Sequence, residues 1–261
     1  MFAKNPFPAV SSPLRRGLRT AIVAVLAVAS LAACTAKTGT GQFNDPYEAQ
    51  NRENHKFNVA FDSNVLKPAS QAYGTAVPGP VRRGVTNFAN NLSLPSYVLN
   101  DLLQARIYDA ADNTLRFAFN TIFGLGGIFD PAGAMGLHAK SNDFGHTLYA
   151  WGVREGAYLE VPFLGPSTER ALAGKVVDTI TNPSRLLVPQ SARNVTYGAD
   201  VGSLLDFRYR FNDTVDSILH GSADSYGQQR LIYLEQRHYA LGIQSDASMS
   251  NPYEDPYASS K

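Results

Sequence analysis

Helical periodicity is the feature that most constrains how this chain can fold. From position 45 onward, almost every patterned segment repeats its apolar residues at spacings of three and four, and no alternating run is long enough for a sheet. Hydrophobic residues make up 44% of the 261, enough to bury a sizeable core, so disorder is excluded for most of the chain. The sequence therefore predicts an all-α fold.

Three consecutive helices carry the clearest pattern. Val85 and Phe88 share one face of a helix opened by Pro80, and Ser93 is the candidate N-cap of the helix that follows. A third helix is predicted from about 106 to 123. Further helices are predicted at about 167–181, 203–219 and 222–242, with a rigid turn at 161–166 before the first of them.

The third helix is apolar over more of its circumference than one buried stripe requires. Aromatic residues such as Phe119 and Phe123 flank the stripe on both sides, while Asp112, Arg116 and Asn120 gather opposite it. Asp112 and Arg116 are four residues apart, which predicts a salt bridge. Burial in a large core explains the wide apolar surface as well as contact with lipid does, and both interpretations stay open.

A glycine-rich yet apolar segment follows this helix. It spans 124–145, and its first five glycines are interspersed with Leu125, Ile128, Phe129 and Met135. Glycine at this density ends a helix and predicts a flexible loop. A loop with this many apolar side chains would promote aggregation if it were exposed to water. We therefore expect it to pack on the core or against a membrane. The third glycine of a dinucleotide-binding loop is missing and no strand precedes the segment, which excludes that function.

The N-terminus has the layout of an export signal. A basic cluster precedes an apolar run over 21–33, which is too short for the roughly 20 residues of a membrane span. The run ends in Leu31-Ala32-Ala33-Cys34, which resembles the lipobox of bacterial lipoproteins, and Cys34 is the sole cysteine. We therefore expect a signal peptide at 1–33, a lipidated tether at 34–44, one domain at 45–242 and a disordered tail at 243–261. An unmodified thiol behind an ordinary cleavage site is the alternative.

Charge and cysteine content exclude several classes of function. A net charge of +1 argues against nucleic-acid binding, which requires a clustered cationic face. One cysteine excludes an internal disulfide and a CxxC zinc site. His138, Asp143 and His146 match no metal-ligand spacing, so we predict no metal and no cofactor.

Catalytic signatures are equally weak. The Gly-x-Ser-x-Gly motif is absent from the sequence. Ser141 or Ser167 with a histidine and Asp130 compose a conceivable hydrolase triad, although such triads are defined by geometry. Glu155 and Glu160 are expected to face solvent rather than form a catalytic carboxylate pair. We therefore predict a protein that is not an enzyme.

Six ordered blocks resemble the MlaA/VacJ family of outer-membrane phospholipid-transport lipoproteins. They extend over roughly 45–240, and the block at 116–132 is the most specific. Departures occur at Ala171, at Tyr149-Ala150 and at Ser225. The blocks are 45–52 (DPYEAQNR) with 57–58 (FN), 87–92 (NFANNL) with Pro95, Asn100 and 102–104 (LLQ), 116–132 (RFAFNTIFGLGGIFDPA), 144–148 (FGHTL) with 151–153 (WGV), 158–167 (YLEVPFLGPS), and 224–226 (DSY) with Arg230, 233–234 (YL) and Arg237.

The resemblance implies a ring-like helical body in the periplasmic leaflet of the outer membrane, perforated by an amphipathic channel. A channel for a lipid needs a polar path for the head group and an apolar one for the tails, because a charged group in hydrocarbon is costly. We expect Asp112, Arg116 and Asn120 on the polar wall. The apolar gate is expected at Phe123, Gly124, Leu125, Gly126, Gly127, Ile128 and Phe129.

The function implied by the resemblance is removal of mislocalised phospholipid from the outer leaflet to a periplasmic lipid carrier. Outer-membrane porin trimers are the implied membrane partner. Two alternatives are an envelope lipid hydrolase and a structural lipoprotein that organises porins.

Overall fold

The structure is a computed structural model that describes residues 43–184, 188, 191 and 193–243. Cys34, the predicted signal peptide and nearly all of the predicted tether and tail lie outside these residues. Helices dominate, which confirms the predicted all-α class. Their bounds are α1 Glu48–Phe61, α2 Lys67–Ala76, α3 Gly79–Leu103, α4 Ile107–Ile122, α5 Pro131–Ala134, α6 Phe144–Ala150, α7 Glu169–Thr181, α8 Arg193–Arg210, α9 Asn212–Leu219 and α10 Ser225–Ala240. Strands β1 (Tyr158–Val161) and β2 (Gly165–Thr168) form one antiparallel hairpin.

Contacts between elements close a circuit around the molecule. Helix α3 packs on α6, α6 on α7, and α7 on β2, which pairs with β1. Strand β1 contacts α1, which continues through a π-helical turn at Asp62–Leu66 into α2. Helix α2 packs on α8, and α8 returns to α3. The elements therefore form the ring-like domain that the resemblance implies.

Helix α3 corrects the prediction of two helices at 80–103. A single helix of 25 residues runs through Pro95. Ser93 is no N-cap: its hydroxyl donates to the Ala89 carbonyl oxygen at 3.2 Å, one turn back in the same helix. Proline removes one helical hydrogen bond and crowds the preceding turn. Helix α3 nevertheless continues, because it packs against α4, α6 and α8 and buries Leu94 and Ser96 on either side of the proline.

The hairpin replaces the turn predicted at 161–166. Each strand has four residues, too few for alternation to stand out in the sequence. In β1 the alternation exists, with Tyr158 and Glu160 pointing inward. The prediction that Glu160 faces solvent is wrong: this side chain is buried and accepts hydrogen bonds from the Tyr158 hydroxyl (2.7 Å) and from Asn58 Nδ2 (2.8 Å).

The C-terminal helices agree with the prediction except in one region. Helix α7 begins at Glu169, where the Thr168 hydroxyl accepts the Ala171 N–H as an N-cap. The helix predicted at 203–219 is two helices, and the first starts ten residues earlier, at Arg193. Its buried positions include Thr196, Gly202 and Asp206, so the face that packs inward shows no apolar period in the sequence.

The distribution of polarity is the most unusual property of the fold. Among the described residues, 11 hydrophobic residues are buried against 20 polar or charged ones, whereas 29 large hydrophobic side chains are exposed. Buried polar groups are normally the minority. No helix in the described ranges is both long and apolar enough to cross a bilayer.

The exposed apolar side chains include one face each of α4 and α8. Of the two interpretations of the helix at 106–123, burial in a core is wrong for this face, because its side chains are exposed. Contiguous apolar surface of this kind marks contact with a membrane or with another protein. The exposed residues that share one face of each helix are Ile107, Tyr108, Leu115 and Ile122 on α4, and Tyr197, Val201, Leu204 and Phe207 on α8.

Candidate functional site

The loop at 123–130, expected to be flexible, is held against α3 by asparagine side chains. Asn91 Nδ2 donates to the Thr121 hydroxyl (3.1 Å) and to the Gly126 carbonyl oxygen (3.3 Å), and Asn87 Nδ2 donates to the Ile128 carbonyl oxygen (3.1 Å). These bonds satisfy backbone groups that a loop otherwise exposes. The loop is thus a fixed part of the α3 surface.

Glycine is needed at three positions of this loop. A Cβ at Gly124 would lie 2.4 Å from the carbonyl oxygens of Asn120 and Phe129. Gly127 has a φ of 99°, and a Cβ there would lie 2.5 Å from Asn91 Cβ. Gly126 has a φ of 73° but has open space around it. The left-handed conformation accounts for glycine at Gly126 and Gly127, and the close approach to α3 is a second requirement at Gly127 alone.

The predicted gate residues divide into two groups. Ile128 and Phe129 line an apolar cavity of about 750 Å³. Phe123 and Leu125 are both 68% exposed and do not line that cavity. A cavity of this size lies within the range of small-molecule sites, about 300–1,000 Å³. Residues of α3 and α8 complete it: Pro80, Val81, Gly84, Val85, Phe88, Val195, Gly198 and Ala199.

A smaller polar cavity of about 200 Å³ lies on another face of α3. Two of the three residues predicted for the polar wall, Arg116 and Asn120, line this cavity, whereas Asp112 does not. We name it the first polar cavity. Its remaining lining residues are Asn87, Asn90, Asn91, Leu94, Tyr97, Asp130, Ala139 and Ser141.

Arg116 pairs with Asp130 rather than with Asp112, which corrects the predicted salt bridge. Arg116 Nη2 lies 2.6 Å from Asp130 Oδ2, and Asn120 Nδ2 donates to Asp130 Oδ1 at 2.9 Å. Asp130 also caps α5 by accepting the Gly133 N–H. Burial alone would raise the pKa of Asp130, but the hydrogen bonds from Arg116, Gly133 and Asn120 hold it below its ordinary value.

Sequence reasoning missed Asp130 as a member of the polar wall. Asp130 lies 14 residues from Arg116, across the glycine loop, so helical spacing does not relate the two. The sequence also gave no prediction that α8 contributes to the apolar cavity, because Val195 and Ala199 belong to a helix without a clear apolar period. The asparagines of the NFANN block at 87–91 were the one feature of the sequence from which the contacts with the loop could have been predicted.

The polar and apolar cavities are lined by the same two elements, α3 and the glycine loop. On α3, Val85 and Phe88 face the apolar cavity, and Asn87 and Asn91 face the polar one. In the loop, Phe129 lines the apolar cavity, while the adjacent Asp130 lines the polar cavity. One helix and one loop therefore present a polar and an apolar recess side by side, an arrangement that suits an amphiphilic molecule.

The hydrolase triad posed from the sequence is not assembled. The Asp130 carboxylate binds Arg116 and Asn120 rather than a histidine, and the Ser167 hydroxyl donates to the Thr168 carbonyl oxygen. Three other side chains, Ser225, His55 and Glu160, lie in a row in space. Ser225 Oγ is 2.9 Å from His55 Nε2, and His55 Nδ1 is 3.8 Å from Glu160 Oε1. His55 and Glu160 are buried, and this network joins α10, α1 and β1.

One group of potential metal ligands occurs in the described chain: Asp62, Asp216 and His220. Basic side chains already neutralise it. Arg208 donates to Asp62 at 2.8 and 2.9 Å and to Asp216 at 2.7 Å, and Lys67 Nζ lies 2.7 Å from Asp216. The carboxylates therefore serve as partners of cationic side chains.

Comparison with known proteins agrees with this architecture. A family model described as MlaA lipoprotein matches residues 43–240. The chain is 33% identical to the intermembrane phospholipid transport system lipoprotein MlaA of Shigella flexneri over 230 residues, covering 85% of this chain and 88% of that one. The protein of the same name from Haemophilus influenzae is 37% identical over 166 residues, covering 61% and 66%.

A solved structure also matches. It comes from work on the structural basis for maintenance of bacterial outer membrane lipid asymmetry, with a TM-score of 0.65 and 31% sequence identity over 76% of this chain and 98% of that chain. The family match, the sequence relatives and the shared fold agree, and this chain belongs to the MlaA lipoprotein family.

Proposed function

We propose that this chain is an outer-membrane lipoprotein that removes phospholipid from the outer leaflet and passes it to a periplasmic carrier, maintaining lipid asymmetry. The observation that carries the proposal is the pair of adjoining cavities on α3. A phospholipid has a charged head group and two apolar tails, and the polar and apolar recesses match these parts. Binding and orientation of the lipid need no covalent step, so the chain acts as a conduit.

The polar wall supplies hydrogen bonds without a large net charge. Asn87, Asn90 and Asn91 offer neutral amides, and Arg116 is balanced by Asp130. Such a wall lowers the cost of moving a head group past hydrocarbon, because each desolvated polar group finds a partner. The polar wall also does not bind the head group tightly, since Arg116 and Asp130 already neutralise each other.

The exposed apolar faces of α4 and α8 support a location within the membrane leaflet. Residues such as Tyr108, Ile122 and Leu204 would be poorly placed in water but well placed among acyl chains. Because the protein contacts the bilayer from one side, no spanning helix is required. We infer that the body lies in the periplasmic leaflet of the outer membrane.

Cys34 supplies the second attachment. In a lipobox the cysteine thiol receives a diacylglyceryl group, and two or more acyl chains give stable anchoring where one is marginal. Porin trimers and a periplasmic lipid carrier are the partners that complete the proposed route. These partners rest on the family resemblance, and the exposed apolar surface is the part of the chain available to a membrane-embedded partner.

The proposal is tested in cells that lack this chain. Phospholipid in the outer leaflet is measured on intact cells with a membrane-impermeant amine reagent. The wild-type gene is expected to lower the labelling to its normal level. A deletion strain with normal labelling would contradict the proposal. Accumulation of free fatty acid or lysophospholipid on expression would instead identify a hydrolase.

A further inference from the structure

A second polar cavity lies next to the first polar cavity and shares Tyr97 and Ser141 with it. Its volume is about 340 Å³. Asn142 and Asp143 also line it, together with His146 of α6 and Tyr233, Gln236, Arg237 and Ala240 of α10. Because the two cavities share lining residues, a head group leaving the first can enter the second directly.

The second polar cavity contains hydrogen-bond donors that the described chain leaves unused. The His146 side chain is 11% exposed, and neither ring nitrogen has a hydrogen-bond partner among the described residues. Arg237 donates to Asp143 at 2.6 and 2.8 Å through its terminal nitrogens, while its Nε has no described partner. Buried polar groups without a protein partner are costly, so they are expected to bind either ordered water or a polar ligand.

The segment that carries this cavity is rigidly held. Asn142 Nδ2 donates to the buried Asp101 at 2.6 Å, and Gln104 Nε2 donates to Asn142 Oδ1 at 3.0 Å. Asp143 then caps α6 through the His146 N–H at 2.9 Å. The unused donors are therefore fixed in position before any ligand arrives, which reduces the entropic cost of binding.

Charged side chains of both signs surround His146. Burial lowers its pKa, and Arg237, Arg106 and Arg170 lower it further, against one nearby carboxylate, Asp143, which raises it. His146 Nδ1 lies 3.4 Å from that carboxylate. Arg237 is itself paired with Asp143, as Arg116 is with Asp130 in the first polar cavity. The second cavity therefore differs in its unpartnered ring nitrogens and Arg237 Nε rather than in net charge.

We propose that the second polar cavity binds the phosphodiester of a phospholipid head group after it leaves the first, with His146 and Arg237 as donors. This inference rests on the proposed transport function. The first polar cavity offers neutral amides, and the second adds the unpartnered His146 ring and Arg237 Nε, so the head group is expected to bind more tightly in the second. The second polar cavity is then the holding position before release.

The test uses the full mature protein in detergent with dihexanoyl phosphatidylglycerol below its micelle concentration. The His146 ring signal, assigned by its loss in His146→Gln, is expected to shift on titration of the wild type. His146→Gln is expected to weaken binding about 10-fold, the equivalent of one hydrogen bond to a charged group. His138→Gln is the matched control, since His138 is exposed and lies outside the cavity.

Each outcome decides between the two proposals. Wild-type binding with an unshifted His146 signal and an unchanged affinity in His146→Gln overturns the second cavity but leaves transport intact. A shift produced by inorganic phosphate and not by the short-chain lipid also overturns it, because the site would then serve free phosphate. A wild-type protein that binds no phospholipid in any form contradicts the proposed function itself.

Discussion

At the residue scale, the Asp130 carboxylate makes three interactions that the helical pattern of the sequence does not predict. It neutralises Arg116, bonds Asn120 and caps the short helix α5. The helical pattern predicted Arg116 and Asn120 on the polar wall and assigned the wrong carboxylate, Asp112, as partner. Spacing within a helix reveals i,i+4 neighbours, but a pairing across a turn depends on the tertiary path of the loop.

We predict that Asp130→Asn destabilises the fold by about 2 kcal/mol, since it weakens a charge-assisted pair and a helix cap. The lowered pKa of Asp130 gives the effect a pH dependence. The carboxylate's contribution is present above its ordinary pKa of 3.8 and is lost as the pH falls through the lower folded value. Denaturant unfolding at a series of pH values measures this. Asp112→Asn is the matched control, and equal effects of the two substitutions would disprove the assignment.

We predict unequal costs for two glycines of the loop. Gly126→Ala is expected to lower the free energy of unfolding only by the strain of a left-handed alanine, about 1–2 kcal/mol. Gly127→Ala adds the same strain plus a collision with Asn91, so its destabilisation is expected to be larger and its transport weaker. Thermal unfolding and outer-leaflet labelling are the measurements. Equal losses at both positions would show that the loop does not pack on α3 as described.

At the element scale, α3 organises the site, because successive residues of one helix face different recesses. Its amphipathic pattern, Val85 and Phe88 against Asn87 and Asn90, was predictable from the sequence alone. Its uninterrupted course through Pro95 was not, because local propensity favours a break there and packing by three neighbouring helices overrides it. The hairpin was missed for a related reason, since four-residue strands gain their order from tertiary contacts.

We predict that a bulky residue in the apolar cavity blocks transport without unfolding the chain. Gly198 lines the cavity from α8, and a Cβ there has no atom within 4 Å. Gly198→Trp fills the recess and is expected to abolish clearance of outer-leaflet phospholipid. Gly198→Ala is the matched control: it stabilises the helix by about 0.5–1 kcal/mol and leaves most of the cavity open. Normal clearance with Gly198→Trp would rule out the apolar cavity as the lipid path.

At the whole-molecule scale, the protein buries amides and ion pairs while exposing aliphatic and aromatic side chains. The wide apolar surface of the helix at 107–122 was visible in the sequence. Whether that surface was buried in a core depended on how the helices pack, and the packing leaves residues such as Tyr108 and Ile122 exposed. The closed circuit itself joins elements distant in the chain, so no local pattern encodes it.

We predict that the outer face of α4 contributes to membrane binding rather than to stability. Ile122 is 68% exposed, so Ile122→Glu removes no core contact. Loss of a buried aliphatic side chain in the bilayer costs about 1.5–3 kcal/mol, which weakens vesicle binding about 10-fold or more. The comparison is made in a Cys34→Ser background, with Ile122→Leu as the control. Unchanged flotation with vesicles would exclude this face from the membrane contact.

The central claim is that the adjoining cavities hold a phospholipid. Native mass spectrometry of the full mature protein, purified in mild detergent, measures this directly. The account predicts intact glycerophospholipid bound to the wild type and to Gly198→Ala, and its loss from Gly198→Trp. A wild-type protein without bound phospholipid, or equal lipid in Gly198→Trp, would contradict it.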